Sequence, residues 1–205
     1  MSESPYRLAV IVGSVRDGRF GPVVANWFCR QAGQRADLVV DLVDLAHVPA
    51  ALGGAPGTVT PTAASGAASG AAYSAAEVPF AERIAAADAV VVVTPEYNHS
   101  YPGPLKAAID SVGAQWHAKP VGFVSYGGIS GGLRAVEPLR VVFAELHTVT
   151  IRETVSFTGA HACFDAAGEP VDAGPVNRAA TAMLDQLGWW AEALRTARTA
   201  RPYGG

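Results

Sequence analysis

The chain has 205 residues, half of them hydrophobic and 16% charged, with a formal net charge of −3. That length suits one globular domain, residues 1–205, with room for a sizeable core, and that composition excludes wholesale disorder. The mildly acidic balance and scattered arginines exclude a nucleic-acid footprint and a polybasic membrane patch.

The opening MSESPYR lacks the apolar stretch of a secretory signal, and runs such as AVVVV are too short to span a bilayer. Cys29 and Cys163 are the two cysteines, far apart and in no CxxC pattern, so both read as reduced thiols. A cytoplasmic protein, with no membrane and no nucleic acid among its partners, is the expectation.

In chain order, YRLAVIVG is a short β-rich run that stops at Gly13, a buried strand. Val23, Val24, Trp27, Phe28 and Gln31 then recur at helical spacing. DLVVDLVDL alternates and reads as a second strand. Phe80, Ile84 and Ala87 mark a helix, and DAVVVVTPEYN is a third strand ending at Pro95. Leu105, Ile109, Val112 and Trp116 mark the next helix; KPVGFVSYGG is a fourth strand running into glycines. A helix follows through Leu133, Val136, Leu139, Phe143 and Leu146, then a fifth strand, HTVTIRETV. Val176, Ala180, Met183, Leu187, Ala191 and Leu194 form a last helix.

Five strands alternating with helices, several of them apolar on both faces, require cover on both sides of a sheet. The fold class is therefore α/β: a doubly wound, mostly parallel sheet. Strand order 2-1-3-4-5 is the flavodoxin-like arrangement and 3-2-1-4-5 the Rossmann one; periodicity does not choose between them. Residues 50–76, rich in Ala, Gly and Ser, have no pattern and little apolar area to offset ordering, so they read as a flexible loop. It is either a plain linker or a flap beside the site.

In such sheets ligands lie outside the carboxyl ends of the strands. Gly13 to Gly21 follows the first strand and opens the first helix, where free N–H groups favour an anion. Ser14 adds a hydroxyl, and Arg16 and Arg19 add forked donors suited to a phosphate monoester. A phosphate-binding loop of the G-x4-G-K-[ST] kind is excluded because Arg19 and Phe20 stand where Lys and Ser/Thr belong. A G-x-G-x-x-G dinucleotide loop is excluded by Val15, although Asp41 and Asp44 supply acids near the end of the second strand. The bland alternative is a glycine turn with surface arginines.

A second loop, TPEYNHSYPGPLKAAID, places Glu96, Tyr97, Asn98 and His99 between stiffening prolines. A flat ring can lie on Pro95 and Tyr97 with backbone N–H groups aimed at its edge. A third, SYGGISGGLRA, carries glycines from Gly127 to Gly132 that let backbone approach the same ligand. The histidines show no metal spacing, no metal site is expected, and no serine-hydrolase elbow is present. Lys106 reads as a solvated or partner-facing lysine, and of Trp189 and Trp190 one reads as core.

With GSVRDGRFGPVVANWF, TPEYNHSYPGPLKAAID and KPVGFVSYGGISGGLRAVEPLR in this order, the chain resembles the NADPH-dependent FMN reductase family, a flavodoxin-like group that includes azoreductases and quinone or chromate reductases. The resemblance covers most of residues 7–155. It implies strand order 2-1-3-4-5, bound FMN, and NADPH or NADH as co-substrate. It implies that Ser14, Arg16 and the turn through Arg19, Phe20 and Gly21 hold the FMN phosphate. Pro95, Glu96, Tyr97 and Asn98 would line the isoalloxazine, and Ser125, Gly127, Gly128 and Ser130 would close the other side. It further implies a homodimer or homotetramer with the flavin near the subunit interface. Hydride passage between stacked rings needs no acid or base, so no catalytic side chain is named. A flavin, quinone, azo compound or similar small molecule is the expected electron acceptor. A flavodoxin-like electron carrier and a non-catalytic flavin-binding partner or sensor are the competing readings; carriers of that kind are usually more acidic than −3.

Overall fold

The computed structural model describes residues 4–48 and 78–204. The loop expected at residues 50–76 lies outside the described residues.

The elements run β1 (Tyr6–Val12), α1 (Gly21–Ala32), β2 (Leu38–Asp44), α2 (Phe80–Ala86), β3 (Ala89–Pro95), α3 (Gly103–Asp110), β4 (Pro120–Gly127), α4 (Leu133–Glu145), β5 (Val149–Thr158) and α5 (Ala173–Ala200). Short 3₁₀ turns cover Leu45–His47, Ala114–Trp116 and Ala160–Ala162. The strands form one parallel sheet in the order β2-β1-β3-β4-β5. This is the flavodoxin-like order, and it makes β1 and β3 neighbours where the winding direction reverses.

β3 is buried at all seven positions, as a central parallel strand covered on both faces must be. Alternate residues feed two cores. Leu8, Val10 and Val12 of β1 and Val91 and Val93 of β3 pack under α1 and α5, with Trp27, Phe28, Leu184 and Leu187. Ala9, Ile11, Val90, Val92 and Phe123 pack on the other face with α2, α3 and α4, around Ile84, Ile109, Trp116 and Phe143.

Two boundaries depart from the sequence expectation. The third helical stripe predicts a helix reaching Trp116, but α3 stops at Asp110 and the chain re-forms as a 3₁₀ turn. Trp116 remains buried, and its Nε1 donates to the Ile109 carbonyl at 3.1 Å, satisfying a group the helix end leaves open. β5 extends three residues beyond Val155, because Ser156, Phe157 and Thr158 continue to pair with β4 through Gly127.

Cys29 and Cys163 are both free thiols. Burial pushes the Cys29 thiol up to about 12, so it stays protonated and inert at neutral pH. Among the described residues no helix is long and apolar enough to cross a membrane.

Candidate functional site

The register that pairs Val12 with Val93 and Pro95 with Tyr126 brings three loops to one rim. The first follows β1, the second β3 and the third β4. Gly13 N–H donates to the Val93 carbonyl at 2.9 Å, and Glu96 N–H to the Tyr126 carbonyl at 3.1 Å, so neighbouring strands anchor the loops where they leave the sheet.

The first loop enters α1 without a side-chain cap, and Pro22 sits in the first turn. Pro22 has no N–H and Val23 N–H donates to the Phe20 carbonyl at 3.0 Å, so in the first turn Gly21 N–H is the group left without a protein acceptor among the described residues. Gly21 has no room for a side chain: a Cβ there would lie 2.8 Å from the Tyr126 hydroxyl and 3.0 Å from Val12 Cγ1. Ser14 is fully buried, and its Oγ lies 2.6 Å from the Tyr97 hydroxyl. The Arg16 guanidinium stacks on the Tyr97 ring, 3.6 Å from its centroid. The phosphate end of the first loop and the aromatic end of the second are thus in direct contact.

Arg19 and Phe20 sit differently from the sequence expectation. The Arg19 guanidinium is paired with Asp44, so it is not a free fork; its Nε is buried without a partner. The Phe20 ring turns into an aromatic cluster, 4.6 Å from His161, 5.5 Å from Phe164 and 6.1 Å from Tyr126. Phe20 can therefore serve a ligand through its backbone only. The acids of β2 are also taken: Asp41 holds Arg83, and Asp44 accepts from Ala46 N–H as well as Arg19.

In the second loop Tyr97 and Ser100 exchange backbone hydrogen bonds at 2.8 and 3.1 Å, closing a tight turn over Asn98 and His99. Both turn residues are left-handed, with φ of 50° and 69°. Asn enters that region easily, and this pairing is the signature of a type I′ turn. The expectation that backbone N–H groups of this loop aim at a ring edge is corrected in part. Those of Glu96 and Tyr97 are used within the protein, which leaves Asn98. The Glu96 carboxylate reaches the other way, accepting from Ser130 Oγ and, at 3.4 Å, from Arg134. Pro95 is buried at the end of β3.

The third loop turns through Gly131 and Gly132, with φ of 62° and 88°. Its shape is set from below. Ser125 and Ser156 each donate to the Gly131 carbonyl at 2.8 Å. Ser125 is fully buried, so it acts as a support beneath the loop and does not line its surface, a correction to the role expected for it. A Cβ on Gly127 would lie 3.1 Å from Gly132 N and 3.4 Å from Glu96 Cβ, whereas one on Gly128 would meet open space. The Gly128 carbonyl accepts from Gly159 N–H at 3.0 Å, which ties this loop to the turn after β5. Ile129, at the tip, is 87% exposed.

A family model described as NADPH-dependent FMN reductase matches residues 6–162, which span β1 to the turn beyond β5. The chain belongs to that family. A quinone reductase of Pseudomonas putida is 31% identical over 173 residues, covering 80% of this chain and 84% of its own. An NAD(P)H-dependent FMN reductase of Schizosaccharomyces pombe is 35% identical over 126 residues, or 62% of this chain; the match spans 60% of that relative's length, less than two thirds. Among solved structures, FerB of Paracoccus denitrificans, a flavoenzyme NAD(P)H:(acceptor) oxidoreductase, superposes with a TM-score of 0.64 at 24% identity, over 92% of this chain and 98% of that one. That likeness shows the shared fold.

The rim fits the group this family name implies. Of the three buried side-chain polar atoms without a partner among the described residues, Arg19 Nε and the Tyr126 hydroxyl both lie beside the first loop. Buried polar atoms are seldom left unpaired, so Arg19 Nε, on the loop itself, marks where a polar group belongs. An uncapped helix start, a glycine with no space for Cβ and exposed Arg16 complete a cradle for a phosphate monoester.

Two features that matter here carried no sequence signal of their own. Tyr126 sits inside a strand pattern and reads as core, and the turn after β5 has no motif. Only the partners they meet in three dimensions reveal them.

Proposed function

We propose that the protein is an NAD(P)H-dependent FMN oxidoreductase, acting as one domain over residues 1–205. It passes reducing equivalents from NADPH or NADH to a small-molecule acceptor such as a flavin, quinone or azo compound, in two alternating half-reactions. The observation that supports this most is the convergence of the uncapped α1 start, the Tyr97 turn and the Gly131–Gly132 turn on one rim, in a chain of this family. The family match favours a reductase over an electron carrier or a silent flavin-binding partner.

FMN supplies a ring that accepts a hydride from the nicotinamide and later releases the electrons to the acceptor. The chain's own residues bind and orient. Ser14, Arg16 and the Gly21 N–H at the start of α1 hold the phosphate. Pro95, Tyr97 and the Asn98 N–H face the ring on one side, and Gly127, Gly128 and the backbone at Ser130 border it on the other. Asn98 N–H has no protein acceptor among the described residues, so it is available to a ring oxygen or nitrogen that gains charge. Glu96 and Ser125 act at one remove, by fixing the third loop.

The proposal includes a homodimer, or a homotetramer built from such dimers. Ile129 at the tip of the third loop and Leu133 and Val141 of α4 are 87%, 47% and 73% exposed. Exposed apolar side chains beside the rim suit a second copy of the chain. A cytoplasmic location is part of the same reading.

The test is to mix the FMN-loaded protein with NADPH under nitrogen, then add a quinone. Prompt bleaching of the yellow colour followed by its return supports the reductase; unchanged colour with either nucleotide refutes it.

A further inference from the structure

The Tyr126 side chain ends at the start of α1. Its residue is 6% exposed, and its hydroxyl has no hydrogen-bond partner among the described residues. The hydroxyl occupies the space a side chain on Gly21 would need, with a Gly21 Cβ falling 2.8 Å from it and 3.8 Å from Ser14 Cβ. Tyr126 and Ser14 therefore flank the same point under the first loop. Burial raises the Tyr126 phenol above its usual range, the nearby Tyr97 adds to this, and the Ser14 hydroxyl pulls the other way. The phenol is thus a donor at every physiological pH.

A serine hydroxyl has one proton to give and can accept from two donors. In this structure Ser14 Oγ shares one hydrogen bond with the Tyr97 hydroxyl, which leaves it capacity for a further donor, while the Tyr126 hydroxyl has no partner among the described residues. A buried phenol in that condition is costly unless another arrangement satisfies it.

We infer that Tyr126 is a positioning residue for phosphate recognition: its hydroxyl donates to Ser14 Oγ and so turns the Ser14 proton outward onto the ligand's phosphate. This rests on the FMN reading above. It assigns selectivity for the phosphorylated over the unphosphorylated flavin to a side chain that never touches the ligand.

The experiment is fluorescence titration of cofactor-free protein with FMN and with riboflavin, for wild type, Tyr126→Phe, Ser14→Ala and the double variant. In Tyr126→Phe the FMN dissociation constant should rise roughly fivefold or more, as for the loss of one hydrogen bond in a charged network, with riboflavin affinity unchanged. In the Ser14→Ala background the same change should have no further effect, since Tyr126 acts through Ser14. Thermal melting of Tyr126→Phe should stay close to wild type, which separates a lost phosphate contact from a loss of the fold. Equal loss for both flavins, no loss for FMN, or an undiminished effect in the Ser14→Ala background overturns the inference while leaving the FMN reading intact. Wild type that binds neither flavin, or riboflavin as tightly as FMN, overturns the phosphate reading and the inference with it.

Discussion

At the scale of single residues, the rim contains cations with different freedom. Arg19 is spent on Asp44, whereas Arg16 lies on the Tyr97 face and can swing to an anion without breaking an ion pair. Arg16→Ala should therefore weaken FMN retention about tenfold or more, the loss expected for a charge-assisted contact, with the melting temperature unchanged; equilibrium dialysis against FMN measures it. Gly21 gives a different signature. Gly21→Ala drives a methyl against the Tyr126 hydroxyl and Val12 Cγ1, so it should cost both stability, about 1–3 kcal/mol by chemical denaturation, and FMN affinity. Of these residues Ser14, Arg16 and Gly21 were legible, because glycine, serine and arginine clustered after a strand have few other uses. The engagement of Arg19 and the burial of Ser125 were not legible, since the first depends on Asp44, 25 residues away, and the second on the turn that folds Gly131 back over the strand.

At the scale of elements, the second and third loops form one unit, joined by Glu96. Its carboxylate reaches Ser130 Oγ and Arg134, which crosses from the end of β3 to the start of α4. Glu96→Gln keeps the shape and removes the charge. It should lower stability by about 1–2 kcal/mol and weaken FMN and riboflavin equally, because it loosens the ring side of the rim and leaves the phosphate side alone. The alternation of strands and helices was legible throughout, since apolar runs of β3 and β4 and the helical stripes follow different periods. Element ends were less so. Val112 and Trp116 continue the helical spacing of α3, yet the helix ends at Asp110; burial drives the pattern there, and the helix does not. Strand order was the largest gap, because hydrophobic pattern records which face is buried and says nothing of which strand lies beside it.

At the scale of the whole molecule, the end of the sheet opposite the rim carries its own electrostatics. Lys119 is buried and donates to the Ala85 carbonyl at 2.9 Å and to Ile84 at the end of α2. Burial, with help from Arg198, lowers its ammonium to about 8, with Asp88 opposing. The unfolded chain binds that proton up to its ordinary, higher value. Between those two points the unfolded state holds more protons, so stability rises with pH across the window, and the full penalty applies below about pH 8. Relative to Lys119→Met, wild type should gain on the order of 2 kcal/mol between pH 7.5 and pH 10. A flat difference across that range, read by urea denaturation, contradicts the assignment. The central claim concerns position: of the two ends of the sheet, the carboxyl rim takes the flavin. At the amino end a cavity of about 300 Å³ beside Tyr6, Arg35 and Trp189 offers a competing place. Amide hydrogen exchange with and without FMN distinguishes them. Slowed exchange in residues 13–21, 96–100 and 127–132, with the amino end unchanged, is the expected result; protection centred on Tyr6 and α5, with the three loops unaltered, would contradict it.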